Sequence, residues 1–426
     1  METFNLALRV AATATAFEAM RLTGAPAAAR ARYLADSAQR LGPTFVKLAQ
    51  FASTRKDVLP AEYAAVFKTL HKDVRSDDPA ATVENFRARL PGDPYSFFDG
   101  FDPVPIAAGS IAQVHRAVYQ GKDVAVKIVK RGVEARVERE LSVLRLALSL
   151  AARVDRGGER ADYFGTLLQQ YGDTLAREMD MTLEGETMLA ARQHLSFSDF
   201  DVVIPKPLCV RRGGVLVMDF VKSRDVLLAR RADEMASTIM ESCLYQIFSG
   251  GPFNCDPHEG NLGVFGANTL VLYDYGNSMA LDPEFLSGMF DSLVAFQFRD
   301  KDRLIRTLLQ RGFIRGKTVA GGEQGGANKA EELRVMGRLI EQMFAYVKTM
   351  DIASFNTDEF REGSVMLSPD LYSVMRTILM TEGICKSMSV EFNVERAIEG
   401  FIEKHAFELV MRRGMNDITR SLDRNA

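Results

Sequence analysis

This sequence of 426 residues has few cysteines, few histidines and a small net charge. Its four cysteines (Cys209, Cys243, Cys255 and Cys385) have no Cys-x-x-Cys spacing. That pattern favours reduced thiols in an intracellular compartment over a disulfide framework. The five histidines are dispersed and do not favour a zinc site. A formal net charge of -3 gives no indication of nucleic acid as a partner.

Long hydrophobic segments are also missing. No uninterrupted apolar run approaches the roughly 18 residues that a bilayer-spanning helix needs, so the sequence predicts only peripheral or partner-mediated membrane contact. The N-terminus lacks a basic segment followed by an apolar core, and no secretory signal is predicted. Residues 1–20 instead predict an amphipathic helix, for which packing on a core is favoured over contact with a membrane surface.

Helical and strand-like patterns alternate along the chain. Residues 1–100 are mainly helical by pattern, and the clearest helix surrounds Pro43 in LGPTFVKLAQFAS. Further helices are predicted at 134–153 and 163–195, and strands at 111–119, 123–129, 215–220, 262–265 and 270–273. The glycine-rich stretch 316–332 predicts a loop or insertion in a part that is otherwise mostly helical.

This order of elements predicts an α+β protein with two lobes, arranged as in the protein kinases. A chain of this length predicts two or three packed units. We expect an N-terminal helical extension at 1–100, a small sheet lobe with inserted helices at 101–221, and a mostly helical lobe at 222–426.

A lysine on a strand, preceded by a loop of small residues, fits the grip on a nucleotide's phosphates. Lys127 ends the alternating segment VAVK, and PIAAGSIAQV before it contains Ala107, Ala108, Gly109 and Ser110. Small residues allow a backbone to approach a phosphate closely. Taken separately, an exposed strand lysine and a tight turn without a ligand are the alternatives.

Two acidic motifs after residue 250 carry the chemistry of phosphoryl transfer. DPHEGN places Asp256 five residues before Asn261, the spacing of kinase catalytic loops, in which the aspartate is base or positioner and the asparagine binds Mg²⁺. Asp274, in the turn Asp274-Tyr275-Gly276, follows the apolar strand TLVLY. Hard oxygen ligands suit Mg²⁺. The combination predicts a kinase-like core that binds ATP and Mg²⁺.

A lysine in a desolvated cleft needs a carboxylate partner. Glu184 is our candidate for Lys127, with Glu178 and Asp180 as close rivals on nearby turns and solvated helix acids as the alternative for all three. The segment NSMALDPEF after Gly276 leads almost directly into a helix, and no Ala-Pro-Glu follows. The platform that receives a peptide substrate in protein kinases is therefore not predicted.

These motifs together resemble the UbiB-type family of atypical kinase-like proteins over roughly residues 40–285. LGPTFVKLAQFASTRKDVLPAEY resembles the family's Lys-x-Gly-Gln helix and its continuation, PIAAGSIAQVH its alanine-rich loop, and EMD its Glu-x-Asp motif. The chain departs from the family pattern at a few positions: Ala49 for glycine, Gly109 for alanine, Asn254 for histidine, Glu259 for proline and Tyr275 for phenylalanine.

The resemblance implies a role for each matching residue. Lys127 would contact the nucleotide phosphates, Glu184 would pair with it, Asp256 would be the catalytic-loop carboxylate, and Asn261 and Asp274 would bind Mg²⁺. Lys47 and Gln50 would lie on an extension folded over the cleft, where Lys47 would face Glu178 and Asp180. Ala107, Ala108, Gly109, Ser110 and Met218 complete the nucleotide-contact candidates.

The implied activity is ATP binding and hydrolysis in support of ubiquinone or other isoprenoid-lipid metabolism. The implied partners are an isoprenoid lipid or quinone precursor, a lipid-biosynthesis complex and peripheral contact with a bacterial, mitochondrial or plastid membrane. A phosphotransferase acting on a small molecule or protein, and a nucleotide-gated lipid-binding scaffold, are the alternatives.

Overall fold

A computed structural model provides the fold. It describes residues 1–54, 60–67, 70, 77–90, 92–154, 159–211, 214–316, 334, 337–338, 340–341 and 365–423. Most of the predicted glycine-rich loop at 316–332, and residues 55–59 of the Lys-x-Gly-Gln continuation, lie outside these ranges.

The described residues form helices and short strands in a mixed order. The helices are α1 (Glu2–Leu22), α2 (Ala27–Leu41), α3 (Pro43–Thr54), α4 (Ala61–Phe67), α5 (Pro79–Arg89), α6 (Pro94–Phe97), α7 (Val133–Val154), α8 (Glu159–Met179), α9 (Met181–Leu195), α10 (Ala232–Phe248), α11 (Pro283–Gln297), α12 (Lys301–Gln310), α13 (Pro369–Met388) and α14 (Val394–Asp423). The strands are β1 (Gly100–Phe101), β2 (Ala107–Ala108), β3 (Ala112–Tyr119), β4 (Lys122–Val129), β5 (Val202–Val203), β6 (Pro207–Arg211), β7 (Val215–Asp219), β8 (Arg224–Asp225), β9 (Phe253–Asn254), β10 (Leu262–Phe265), β11 (Thr269–Leu272), β12 (Ser278–Met279), β13 (Ile314–Gly316) and β14 (Val365–Leu367).

The chain divides into two compact units. Unit 1 comprises Met1–Leu183 and Leu208–Phe220, and unit 2 comprises Glu184–Pro207 and Val221–Ala426. The three segments predicted from the sequence (1–100, 101–221 and 222–426) do not share the boundaries of these two units, and that division stays a prediction.

Unit 1 begins with a helical part whose core is built from α1 to α4 and α7. Leu6 of α1 and Phe45 and Ala49 of α3 are buried in one apolar cluster, against which Phe17 packs. The predicted helix at 1–20 is therefore present and packs on a core through part of its surface. Phe4 remains 67% exposed on the same helix.

A six-stranded sheet follows in unit 1, with strand order β1-β3-β4-β7-β6 and β2 paired to β3. β3 and β4 form an antiparallel hairpin in which Tyr119 lies opposite Lys122. The two residues between them, Gln120 and Gly121, have φ angles of 52° and 72°. Consecutive left-handed residues are what a tight two-residue hairpin requires. The predicted turn is confirmed, and the second strand begins one residue earlier than expected.

The single helix predicted at 163–195 is wrong: the structure has two, α8 and α9, separated at Asp180. The Oδ1 atom of Asp180 accepts hydrogen bonds from the backbone N–H groups of Thr182 (2.9 Å) and Leu183 (3.1 Å). A side chain that satisfies the free N–H groups of a new helix start is an N-cap. Both helices carry apolar spacing, so periodicity alone did not reveal the break.

Unit 2 is organised around α10, whose buried residues cover most of its circumference. α13 and α14 pack against it. The predicted strands at 262–265 and 270–273 are present as β10 and β11, within a sheet of order β5-β11-β10-β8. Other pairings, β9 with β12 and β13 with β14, were not predicted. Strands of two or three residues are too short to show the alternation that reveals a strand in sequence.

We predict that Ala49→Gly lowers the free energy of unfolding by about 1–2 kcal/mol. The change removes a buried methyl group and increases the backbone entropy that the unfolded chain loses when the helix forms. Urea unfolding measures the change. Ala12→Gly, at an exposed position inside α1, is the matched control and should cost only the propensity difference, about 1 kcal/mol. Equal losses in the two variants would contradict a packing role for the Ala49 methyl.

Candidate active site

The Asp256–Asn261 loop of unit 2 lies between β9 and β10 and is held at both ends. Before it, the Oδ1 atom of Asn254 accepts a hydrogen bond from the Asp256 N–H at 2.8 Å, and the Cys255 N–H donates to the carbonyl oxygen of Asn277 at 2.8 Å. An asparagine that accepts from the backbone two residues later forms a self-contained turn. Asn254, which departs from the family's histidine, thus orders the loop locally.

Asn261 ends the loop with its amide group already oriented. Its Nδ2 atom donates to the carbonyl oxygen of Asp256 at 3.4 Å, and its own carbonyl accepts from the Tyr273 N–H at 3.0 Å. Because the NH₂ group faces the loop backbone, the Oδ1 oxygen is the atom left to bind a cation. Glu259 is exposed, so the charge that replaces the family's proline lies in solvent.

The Asp274-Tyr275-Gly276 turn begins two residues after the end of β11. Oδ1 of Asp274 accepts from the Gly276 N–H at 2.9 Å. A Cβ atom built on Gly276 would lie 3.2 Å from Asp274 Oδ1 and 3.5 Å from Oε2 of Glu184, which is 1% exposed. The carboxylates of Glu184 and Asp274 therefore approach the same glycine, within unit 2, and only a small residue leaves them this room.

Tyr275, which departs from the family's phenylalanine, is buried, and its hydroxyl donates to Oε1 of Gln246 on α10 at 2.8 Å. Burial raises the pKa of Tyr275 well above its usual range, so the phenol remains a hydrogen-bond donor. The hydroxyl that phenylalanine lacks therefore has a buried hydrogen-bond acceptor.

Asn261 and Asp274 line one small pocket in unit 2. The remaining lining residues come mainly from α10, the Asp256–Asn261 loop and α13: Ile239, Ser242, Cys243, Gln246, Phe253, Asn254, Pro257, Leu262, Leu272, Tyr275, Thr377 and Thr381. Burial raises the pKa of Cys243 to about 11, which keeps its thiol protonated. Among the described residues, no cluster of three or more His, Cys, Asp or Glu side chains is arranged to hold a metal.

An amide oxygen and a carboxylate nevertheless suit Mg²⁺. This ion binds proteins through one or two carboxylates and takes its other ligands from water and substrate phosphates. The donor set of Asn261 and Asp274 fits that requirement.

The remaining sequence candidates lie in unit 1. Lys127 is on β4, opposite Val114 of β3 and Leu216 of β7, and Met218 lies opposite Ala125. Lys127 and Met218 thus belong to neighbouring strands of one sheet.

The small-residue loop continues that sheet through β2. Ala107 and Ala108 pair with β3, and the Gly109 N–H donates to the carbonyl oxygen of Ala112 at 2.8 Å. A Cβ atom on Gly109 would meet the Ala112 oxygen at 3.5 Å, an ordinary contact. An alanine would fit at position 109, so the departure from the family pattern is conformationally mild.

Helix α3 places Lys47 beside the small-residue loop at 107–110. Lys47 forms an ion pair with Glu178 of α8, and Lys47 and Ser110 line the same small cavity. Gln50 Nε2 donates to the carbonyl oxygen of Leu70 at 3.0 Å. Asp180 uses its carboxylate to cap α9, so of the two acids expected opposite Lys47, Glu178 is the one that forms the ion pair.

Glu140 of α7 was missed by sequence reasoning because it occupies an ordinary polar position in a helical pattern. It is 3% exposed, and burial raises its pKa. A Cβ atom on Gly42, whose φ is 141°, would lie 2.7 Å from Glu140 Oε1. Glycine therefore allows the carboxylate to approach the start of α3, and Arg136 lies 3.5 Å from the same carboxylate.

Arg376 of α13 was also missed, since nothing in its local sequence marks it. Its Nη2 atom donates to Oδ1 of Asp256 at 2.5 Å, across 120 residues of sequence. A contact of such separation has no signal in a single sequence.

The fold of this chain resembles that of a known structure. A solved structure described as the complex of Rv3197 with erythromycin from Mycobacterium tuberculosis superposes with a TM-score of 0.56 at 17% identity, covering 85% of this chain and 92% of that chain. At that identity the similarity shows the fold alone. Together with the family match below, it confirms the predicted α+β, kinase-like architecture.

The description "ABC1 atypical kinase-like domain" matches residues 69–308, more than half of the chain. The chain therefore belongs to the ABC1 atypical kinase-like family. This confirms the resemblance to UbiB-type proteins, which also appear by name among the relatives.

Curated relatives come from plants and bacteria. The chloroplastic Protein ACTIVITY OF BC1 COMPLEX KINASE 8 of Arabidopsis thaliana is 30% identical over 300 residues, 67% of this chain and 39% of that protein. The Probable protein kinase UbiB of Shewanella woodyi is 26% identical over 401 residues, 88% of this chain and 70% of that protein. The uncharacterised Synechocystis protein sll1770 is 25% identical, and the chain spans 64% of its length.

We predict that Tyr275→Phe lowers the free energy of unfolding by about 1 kcal/mol, because it leaves the buried Gln246 oxygen without its donor. Urea unfolding of Tyr275→Phe, Gln246→Met and the double variant measures the coupling. The double variant should lose less than the sum of the single losses. Additive losses would show that the hydrogen bond contributes nothing.

We predict that Glu140→Gln raises the melting temperature at pH 7.5 and that the gain shrinks as the pH falls towards 4. The folded-state pKa of Glu140 lies above its unfolded value. Its favourable contribution is therefore complete below about pH 4, where the unfolded side chain is protonated, and is lost as the pH rises through the folded-state pKa. Exposed Glu138 provides the control, since Glu138→Gln should show no such trend. A Glu140→Gln variant that melts lower than wild type at pH 7.5 would refute the idea.

Proposed function

We propose that this protein binds ATP with Mg²⁺ and hydrolyses it, in support of ubiquinone or other isoprenoid-lipid biosynthesis and homeostasis. The observation that carries the proposal is the pocket in unit 2 that Asn261 and Asp274 line together. Asp256 lies in the same loop as Asn261 and completes the set of groups that a kinase catalytic loop provides.

Each residue has a distinct task in this proposal. Asn261 Oδ1 and the Asp274 carboxylate hold the metal, which supplies charge neutralisation for the phosphates when bound. Asp256 orients the attacking water and accepts its proton. Lys127 binds the phosphates, and Glu184 orients the lysine.

The small-residue loop and the α3 helix would complete nucleotide binding. Backbone N–H groups around Ala107, Ala108, Gly109 and Ser110 are suited to phosphate oxygens, because small side chains allow close approach. Met218 offers an apolar contact for the base. Lys47 and Gln50, with Glu178 and Asp180 on neighbouring helices, hold or cover this side of the nucleotide.

Water is favoured over a peptide as the acceptor. Only residues 277–282 separate Gly276 from α11, and within them Ser278 and Met279 pair with β9, while Asp282 caps α11. No room remains there for the long activation segment on which protein kinases receive a peptide.

The lipid part of the proposal rests on the relationship to UbiB-type proteins. Within the described residues, no helix combines the length and apolar character needed to span a bilayer. On the basis of that relationship we propose peripheral contact with a bacterial, mitochondrial or plastid membrane, an isoprenoid lipid or quinone precursor as ligand, and a lipid-biosynthesis complex as partner.

A phosphotransferase acting on a small molecule or protein is the second candidate, and it is favoured if Gly109 restores the nucleotide geometry of ordinary kinases. Transfer of labelled γ-phosphate from ATP to a metabolite or protein would support it. ATP binding without phosphate release under any lipid condition would favour a nucleotide-gated scaffold instead.

We predict that the protein releases phosphate from ATP only with Mg²⁺, faster with liposomes, and that Asp274→Asn loses at least about 100-fold in rate because a metal ligand is removed. A phosphate-release assay with and without liposomes measures this. Asp282→Asn is the matched control: its side chain caps α11, and asparagine caps equally well, so the rate should not change. Equal rates in wild type and Asp274→Asn would refute the proposed metal site.

A further inference from the structure

The catalytic-loop carboxylate has a cationic partner from a distant part of the chain. Arg376 lies on α13, and the match to the ABC1 atypical kinase-like domain ends at residue 308. Nη2 of Arg376 donates to Oδ1 of Asp256 at 2.5 Å. The arginine side chain is 15% exposed and the aspartate side chain 36% exposed. A largely buried cation is therefore directed at the half-exposed carboxylate of the site.

The same helix contributes a wall of the candidate site. Thr377 and Thr381, next to Arg376 and one turn further along, line the pocket together with Asn261 and Asp274. Both threonines are 1% exposed. Ser368 caps the start of α13, and the helix packs along α10. Arg376 thus projects from a rigid support, which is what accurate placement of a reacting group needs.

The surroundings of Arg376 indicate that it is not there for core stability. Its Nε atom is buried and has no hydrogen-bond acceptor among the described residues. A buried donor without an acceptor is unfavourable, and so is the partial desolvation of the charge. The contact that offsets these costs is the charge-assisted bond to Asp256.

We propose that Arg376 is a positioning residue for Asp256, supplied by α13 from outside the segment that matches the kinase-like domain. The guanidinium engages Oδ1 and fixes the orientation of the carboxylate. Oδ2 is then the atom that faces the attacking water and receives its proton. The inference rests on the proposed ATP hydrolysis and assigns to the C-terminal helices a direct part in it.

The test is a steady-state phosphate-release assay on the full chain with Mg²⁺ and ATP. For Arg376→Gln we expect kcat to fall about 10- to 100-fold, the cost of a reacting group displaced by about 1 Å. The KM for ATP should change by less than about threefold, because ground-state binding is not altered. Arg376→Lys should recover part of kcat, since it keeps the charge but not the guanidinium geometry.

A second background separates positioning from a general structural effect. In the Asp256→Asn background, adding Arg376→Gln should cause no further loss of kcat, because the carboxylate that Arg376 positions has already been removed. Lys404→Gln is the matched control, since it removes an ion pair between α14 and Glu241 of α10 without touching the loop, and kcat should stay at the wild-type value. Melting temperatures confirm that each variant is folded. If Arg376→Gln does not fold, Arg376→Lys decides in the same two backgrounds.

An active wild type with equal kcat in Arg376→Gln overturns this inference and leaves the proposed function intact. So does a loss of rate that persists undiminished in Asp256→Asn. A wild type that turns over no ATP under any lipid condition overturns the proposed function, and the inference with it.

Discussion

The pairing of β9 with β12 is the constraint on which the candidate site depends. β9 leads into the Asp256–Asn261 loop, and β12 follows the Asp274 turn, so two pairs of residues bring both motifs to one place. The bond from the Tyr273 N–H to the Asn261 carbonyl closes the same arrangement from the other side. Acidic and amide side chains can face one pocket only because these backbone bonds hold their loops together.

The structure shows what surrounds several residues that depart from the UbiB-type pattern. Asn254 makes a local turn with the Asp256 backbone, and the Tyr275 hydroxyl finds a buried acceptor on α10. Gly109 occupies a position in which alanine would fit, and Glu259 lies in solvent. Each change is accommodated without displacing a candidate ligand of the metal or nucleotide.

Buried charge is handled differently in the two units. In unit 1, Lys47 pairs with Glu178, whereas Glu140 is buried beside Gly42, and burial raises its pKa although Thr44 and Arg136 favour the charged form. In unit 2, Arg376 forms an ion pair with Asp256. Charges are costly to bury, and in each case a neighbouring group of opposite charge offsets part of that cost.

The family, the β3–β4 hairpin, the strand that carries Lys127 and the spacing of the Asp256–Asn261 and Asp274–Gly276 motifs could all be predicted from the amino-acid sequence. These features are encoded by residues only a few positions apart, where spacing, turn chemistry and alternation are readable. The cap that Asp180 forms on α9, the pairing of β9 with β12, and the positions of Glu140 beside Gly42 and of Arg376 beside Asp256 emerged only from the packing of the folded chain. Except for the local cap at Asp180, these outcomes depend on which elements pack together, and the contact between Arg376 and Asp256 spans 120 residues of sequence. A polar residue in a helical pattern looks the same in sequence whether packing leaves it in solvent or directs it at the Asp256 carboxylate.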